Sequence, residues 1–354
     1  MTEVIAVVIQ FIPLLILLLL ANGAESPRLK KDGERGGASV TLMVFSYVFL
    51  AISYLFMFIV GAMIHLTSFI ATRGGIDLPA EMPGADPKLI DTLLQSLPYV
   101  GASFWVPSLL GLLLLIPALR RMIARVLPIR SDHMVHTASL SFSMCIWIYF
   151  FFFIALGLDT ISKLTATPGE VANPMPELWA QQITFFLIAL IGVGWLTRRN
   201  LGESLRRLGL VLPTPRQVLI GIGSGLLLVA GALLLENLAH WIGFTQDPHV
   251  EKLTEELLGP LYGSVWGILT LGLSAALGEE AIFRGALLPR FGLVLTTLLF
   301  TLLHSNYGLS LSTLVVFLVG LVLGLLRNRY NTSTTMVVHA TYNISLGILA
   351  AMYS

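Results

Sequence analysis

The chain has 354 residues, of which 56% are hydrophobic and only 12% charged, about half the charge of an ordinary soluble domain. That composition excludes a water-soluble globule, since too little polar surface exists to cover it. The net charge of +1 says nothing about a nucleic-acid partner, but the dense basic cluster typical of one is absent, so no nucleic acid is expected.

Taken in chain order, hydropathy predicts an all-α, polytopic membrane protein of about ten transmembrane helices. They fall near 4–22, 39–65, 98–118, 137–160, 181–197, 217–243, 263–289, 293–308, 311–326 and 334–352. Each must satisfy its own backbone hydrogen bonds in lipid, which makes it a helix. The first run, Val4 to Ala21, lacks the basic leader of a secretion signal and is longer than its apolar core, so it reads as a retained anchor. Cys145, the one cysteine, sits in an apolar run as a small core hydrophobe and excludes both an internal disulfide and a multi-cysteine metal cage.

Charge distribution orients the spans. One set of loops carries Arg28, Lys30, Lys31 and Arg35, then Arg120, Arg121, Arg125 and Arg130. It continues with Arg198, Arg199, Arg206, Arg207 and Arg216, and ends with Arg290, Arg327 and Arg329. These are sixteen of the 21 Lys and Arg. The opposite loops hold Arg73, Lys88, Lys163 and Lys252, among the acids Asp77, Glu81, Asp86, Asp91, Glu170, Glu177, Asp247, Glu251, Glu255 and Glu256. The positive-inside rule then places both termini outside. The polar stretch 66–97 reads as an outer loop. The Arg-rich connector 198–217, with Pro213 and Pro215, reads as a surface segment dividing N-terminal helices (1–210) from a C-terminal unit (211–354).

The chemistry lies in that second unit, because ionisable groups inside a bilayer are costly and need a reason. Span seven reads Gly278-Glu279-Glu280-Ala281-Ile282-Phe283-Arg284-Gly285, span eight Phe300-Thr301-Leu302-Leu303-His304-Ser305-Asn306, and span ten His339-Ala340-Thr341-Tyr342-Asn343. At a helical rise of about 1.5 Å per residue, Glu279 and His304 lie roughly 16 Å from the inner edge, His339 roughly 12 Å and Asn343 roughly 18 Å. Three spans therefore bring polar groups to one level. Glu280 and Arg284, four apart, can pair on one helix face and leave Glu279 pointing elsewhere, and His339 and Asn343 likewise share a face. Glu279, His304 and His339 also form a His-His-Glu set that could hold one zinc ion with a position open for water. A metal-free glutamate mechanism suits the same residues, and we expect no cofactor to be required.

Glu-Glu-x-x-x-Arg, Phe-x-x-x-His and His-x-x-x-Asn, in that order on successive apolar helices, resemble the CAAX-protease and bacteriocin-processing (CPBP) family. The likeness covers about 210–354 and includes Gly320 and Gly324. The resemblance implies a CPBP-type helical core and intramembrane endopeptidase activity. It implies Glu279 as the base that activates water, His304 as a holder of that water, His339 and Asn343 as oxyanion stabilisers, and Glu280 with Arg284 as structural support. It gives the first five helices no role beyond scaffold or substrate access. The expected substrate is a peptide or membrane-anchored protein, and the expected place a prokaryotic plasma membrane. Two other readings share these residues: a proton-coupled transporter, and a non-catalytic bacteriocin self-immunity protein. His-Glu-x-x-His and the paired Tyr-Asp and Gly-x-Gly-Asp motifs are absent. Glu236, Asn237 and His240 read as snorkelling groups near the outer end of span six. His65, His133, His136 and His249 fall at span ends or in loops and read as solvated.

Overall fold

The computed structural model describes residues 2–31, 34–73, 87–165, 173–244, 248–304 and 307–353. Asp77, Glu81, Asp86, Glu170, Asp247, Ser305 and Asn306 lie outside them. The architecture is helical: α1 (Thr2–Ile9), α2 (Ile12–Ala24), α3 (Gly37–Thr72), α4 (Pro87–Leu113), α5 (Pro117–Ile123), α6 (Met134–Phe142), α7 (Met144–Leu156), α8 (Leu158–Thr165) and α9 (Met175–Gly192) come first. Then follow α10 (Leu201–Leu208), α11 (Pro215–Trp241), α12 (Pro248–Tyr262), α13 (Val265–Glu280), a wide π-helical turn (Ala281–Leu287), α14 (Leu288–Leu302), α15 (Leu311–Arg329) and α16 (Thr332–Tyr353). A two-residue ribbon, Lys30–Lys31 against Glu34–Arg35, is the one sheet among the described residues.

Nine helical runs among the described residues are long and apolar enough to cross a membrane. The difference from ten has a geometric cause. Expected spans seven and eight form one run, Val265–Leu302. A straight helix would separate Arg284 from Phe300 by about 24 Å. Instead, the guanidinium carbon of Arg284 lies 4.2 Å from the Phe300 ring centroid, and the Phe283 and Phe300 rings are 5.3 Å apart. The run therefore folds back on itself. The reversal is at Gly292, whose φ of 72° and ψ of 176° belong to a region that only glycine occupies without strain. The returning leg, 293–302, is about 15 Å long, roughly half the hydrocarbon core, so its end stops at mid-membrane depth. Large apolar side chains point outward where lipid would lie, Phe56 at 68% exposure and Leu227 at 74%. The protein is an integral, multi-pass membrane protein.

Local chemistry sets the connectors. Asn200 accepts from the Glu203 backbone and Glu203 returns the bond to the Asn200 N–H, starting α10, which Gly209 ends in the left-handed conformation. Arg120 is buried against the end of α4, donating to the carbonyls of Leu114, Leu115 and Ser131. The stretch 66–97 is shorter as a loop than its polarity suggests, because α3 runs to Thr72 and α4 starts at Pro87. The acidic segment after it in sequence terms, around Glu251, Glu255 and Glu256, is helical too: α12 buries Val250, Leu253 and Leu261. Two histidines are not solvated as expected. His65 bonds the Pro98 carbonyl at 2.7 Å, and His133 is buried with its ring stacked on His136 at 4.4 Å.

The hydrophobic core crosses the connector. Leu114, Ile129 and Leu140 pack in one cluster with Phe283, Phe291, Leu299 and Phe300. Helix α9 lies along α13, where Trp179 donates to Thr270 at 3.1 Å. Gly278 permits that approach, since any side chain there would strike Gln182.

Candidate active site

Adjacent positions at the end of α13 face two different surroundings. Glu280 is fully buried and receives both Arg284 Nη1, at 2.8 Å, and His339 Nδ1, at 2.9 Å, on the same oxygen. Arg284, itself buried, also donates to the Gly320 carbonyl at 3.2 Å and lies over the Phe300 ring. Gly320 makes this possible: a Cβ there would stand 3.0 Å from Phe300 Cδ1. Phe300 thus holds Arg284 on one side and packs near the His304 and His339 rings on the other, at 4.9 and 6.2 Å.

Glu279 instead lines a chamber of about 700 Å³, and His304, His339 and Asn343 line it as well. Its Oε1 accepts a long bond, 3.3 Å, from Gln182 Nε2. Its Oε2 is buried without a hydrogen-bond partner; so is Glu280 Oε2, but only Glu279 lines the chamber. An unsatisfied buried carboxylate oxygen is costly, and such atoms concentrate where chemistry is done.

The remaining groups have defined donor and acceptor sides. His304 Nδ1 lies 3.0 Å from the Phe300 carbonyl. A carbonyl only accepts, so Nδ1 carries the hydrogen, and Nε2 of the neutral ring is an acceptor. Glu280 plays the corresponding part for His339, fixing Nδ1–H towards itself. Asn343 Nδ2 makes one long bond, 3.4 Å, to the Leu271 carbonyl and keeps a second N–H.

Residues 261–345 match the family model described as type II CAAX prenyl endopeptidase Rce1-like. The C-terminal region carries an Rce1-like domain. No curated protein and no solved structure matches the chain.

The matched stretch of the Rce1-like domain begins beside α13 and reaches past Asn343, so it contains all six residues singled out from the sequence. The structure brings Glu279, His304, His339 and Asn343 to one chamber and sends Glu280 and Arg284 to its packed side. It does not bring three ligands together for zinc. Among the described residues no group of three His, Cys, Asp or Glu side chains could hold a metal ion, Glu279, His304 and His339 included.

Sequence reasoning missed three things about the Rce1-like domain. Gln182 reaches the glutamate from α9, so the first five helices do more than frame the domain. The available signal was a glutamine pair, Gln181-Gln182, at the start of an apolar run. Tyr262 and Leu258 bring α12 to the chamber wall. The π turn directly after Glu280 had no sequence signal, though such turns recur at functional sites.

Proposed function

We propose that this protein is an intramembrane endopeptidase that hydrolyses a peptide or membrane-anchored protein substrate with water activated by Glu279. The observation that carries the reading is the partnerless Glu279 Oε2 on the wall of a chamber shared with His304, His339 and Asn343. That oxygen takes a proton from water, whose oxygen adds to the scissile carbonyl carbon. His304 Nε2 accepts the water's other hydrogen and holds it in place. The oxyanion receives Asn343 Nδ2–H and, from a protonated ring, His339 Nε2–H, with Glu280 as counter-ion to that ring. Collapse of the tetrahedral carbon breaks the C–N bond, and Glu279 returns its proton to the leaving amine. Glu280 and Arg284 hold His339 and the helix in register. The reaction as proposed needs no cofactor and takes place in a prokaryotic plasma membrane.

The deciding experiment incubates the purified protein in detergent with an amphipathic peptide bearing a membrane anchor, in water enriched in heavy oxygen. We expect cleavage with label in the new C-terminal carboxylate, undiminished by a chelator. Cleavage that a chelator abolishes and zinc alone restores would overturn the metal-free mechanism. Absence of any cleavage above a Glu279→Gln control would overturn the peptidase and leave the self-immunity reading, which predicts full biological protection by that same variant.

A further inference from the structure

A second cavity, of about 360 Å³, adjoins the chamber. One part of its wall is apolar, with Leu17, Ile188, Phe291 and Leu299 among its residues. The other carries Arg130, Arg198, Arg199, Arg207 and Arg290. These arginines come from three separated stretches of the chain, the connector before α6, the connector into α10 with α10 itself, and α14, and are gathered only by the fold. Phe283 and Leu303 belong to both cavities, so the apolar end abuts the wall of the chamber that holds Glu279.

The charges are poorly answered by the protein itself. Among the described residues, Arg198, Arg199, Arg207 and Arg290 have no carboxylate within 4 Å. The nearby acids are engaged: Glu25 with Arg35 at 2.7 Å, and Asp132 with Arg130 at 3.6 Å. Arg198 donates to Asn22 and His133, Arg199 to the Val193 carbonyl and Arg207 to the Gly285 carbonyl. Most of the guanidinium hydrogens are left over. Burial, reinforced by the neighbouring guanidiniums and opposed at Arg198 by Glu25, pulls Arg198 and Arg207 down to about 10, which leaves both charged at neutral pH. Holding mutually repelling cations at the rim of an apolar hole is unfavourable unless an anion joins them.

We infer that this cavity binds an anionic phospholipid, one whose phosphate head carries net negative charge, with its head among Arg198, Arg199, Arg207 and Arg290 and its hydrocarbon chain along Leu17, Ile188 and Phe291. A phosphate suits the rim because it offers several acceptor oxygens to guanidinium forks. Basic pockets between transmembrane helices on the inner side select lipid heads by the same physics. The volume is within the range of small-ligand sites. The site stands apart from the peptidase reading, since its evidence is the cavity and its charges.

The test uses the full chain in detergent micelles doped with phosphatidic acid, phosphatidylcholine or inorganic phosphate, read by native mass spectrometry and thermal unfolding. We expect phosphatidic acid to stay bound and raise the melting temperature, while phosphatidylcholine and inorganic phosphate do not. Arg290, exposed and without a hydrogen bond or ion pair among the described residues, can be changed without harming the fold. Arg290→Gln should weaken phosphatidic acid binding about fivefold, and Arg207→Gln with it about thirtyfold. Ala286→Phe, which fills the apolar end, should also weaken it. Equal retention of phosphatidylcholine, equal stabilisation by phosphate alone, or unchanged binding in the double variant or in Ala286→Phe would each overturn the proposal. So would stabilisation by an acidic peptide and not by phosphatidic acid.

Discussion

The two sides of α13 at its C-terminal end meet different surroundings. On the Glu280 side one carboxylate oxygen, Oε1, takes both the Arg284 guanidinium and the His339 imidazole, and these groups close with the Gly320 carbonyl and the Phe300 ring with almost no exposure, although Glu280 Oε2 has no hydrogen-bond partner. On the Glu279 side the carboxylate has one long bond from Gln182 and no cationic partner, and it lines about 700 Å³ of open space. Two identical side chains one position apart therefore meet opposite surroundings. The packed side supplies rigidity, and the open side is where a substrate and water can enter.

The sharpest way to break this comparison is to neutralise each glutamate in turn. Glu279→Gln should lower cleavage by about 100- to 10,000-fold while the melting temperature stays close to wild type, because Gln keeps the shape but cannot accept the proton. Glu280→Gln should act through stability, losing about 3–5 kcal/mol, because it strands Arg284 in a dry site. Thermal unfolding beside a cleavage assay reads both. A stable, inactive Glu280→Gln beside an active Glu279→Gln would mean the two sides have been assigned the wrong way round.

A milder probe touches the packed side alone. Gly320→Ala places a methyl against Phe300 and crowds the carbonyl that Arg284 uses, so it should destabilise by about 1–3 kcal/mol. Unfolding measurements that find no loss would show that Phe300 can move and that the packed side is less rigid than described. The smallest change belongs to the open side. Gln182→Ala removes one long hydrogen bond, worth about 0.5–1.5 kcal/mol, and should alter cleavage by less than about tenfold. A loss as large as that of Glu279→Gln would place Gln182 within the machinery that binds substrate.

The fate of particular residues separates what composition and spacing could reveal from what they could not. The apolar runs were legible because a bilayer tolerates only helices with closed backbone bonding, so length and hydropathy suffice to find them. The fold gathers Arg130, Arg198, Arg207 and Arg290, from Arg-rich stretches far apart in sequence, at one cavity. The pairing of Glu280 with Arg284 followed from helical periodicity, a local property. The fold-back at Gly292 was legible as two spans, although as a half-length return rather than a full crossing.

Contacts between distant segments were a different matter. That His339 bonds Glu280 across 59 positions, that Gln182 reaches Glu279 from α9, and that Arg284 caps the Gly320 carbonyl all depend on how helices rotate about their axes. Rotation is decided by packing, by which small residues let two backbones approach, and no spacing rule along one helix contains it. The sequence alone determined that this chain lives in a membrane and which polar residues must share its interior. Only the tertiary structure decided which carboxylate is neutralised and which stands open, because that choice depends on partners brought from other helices.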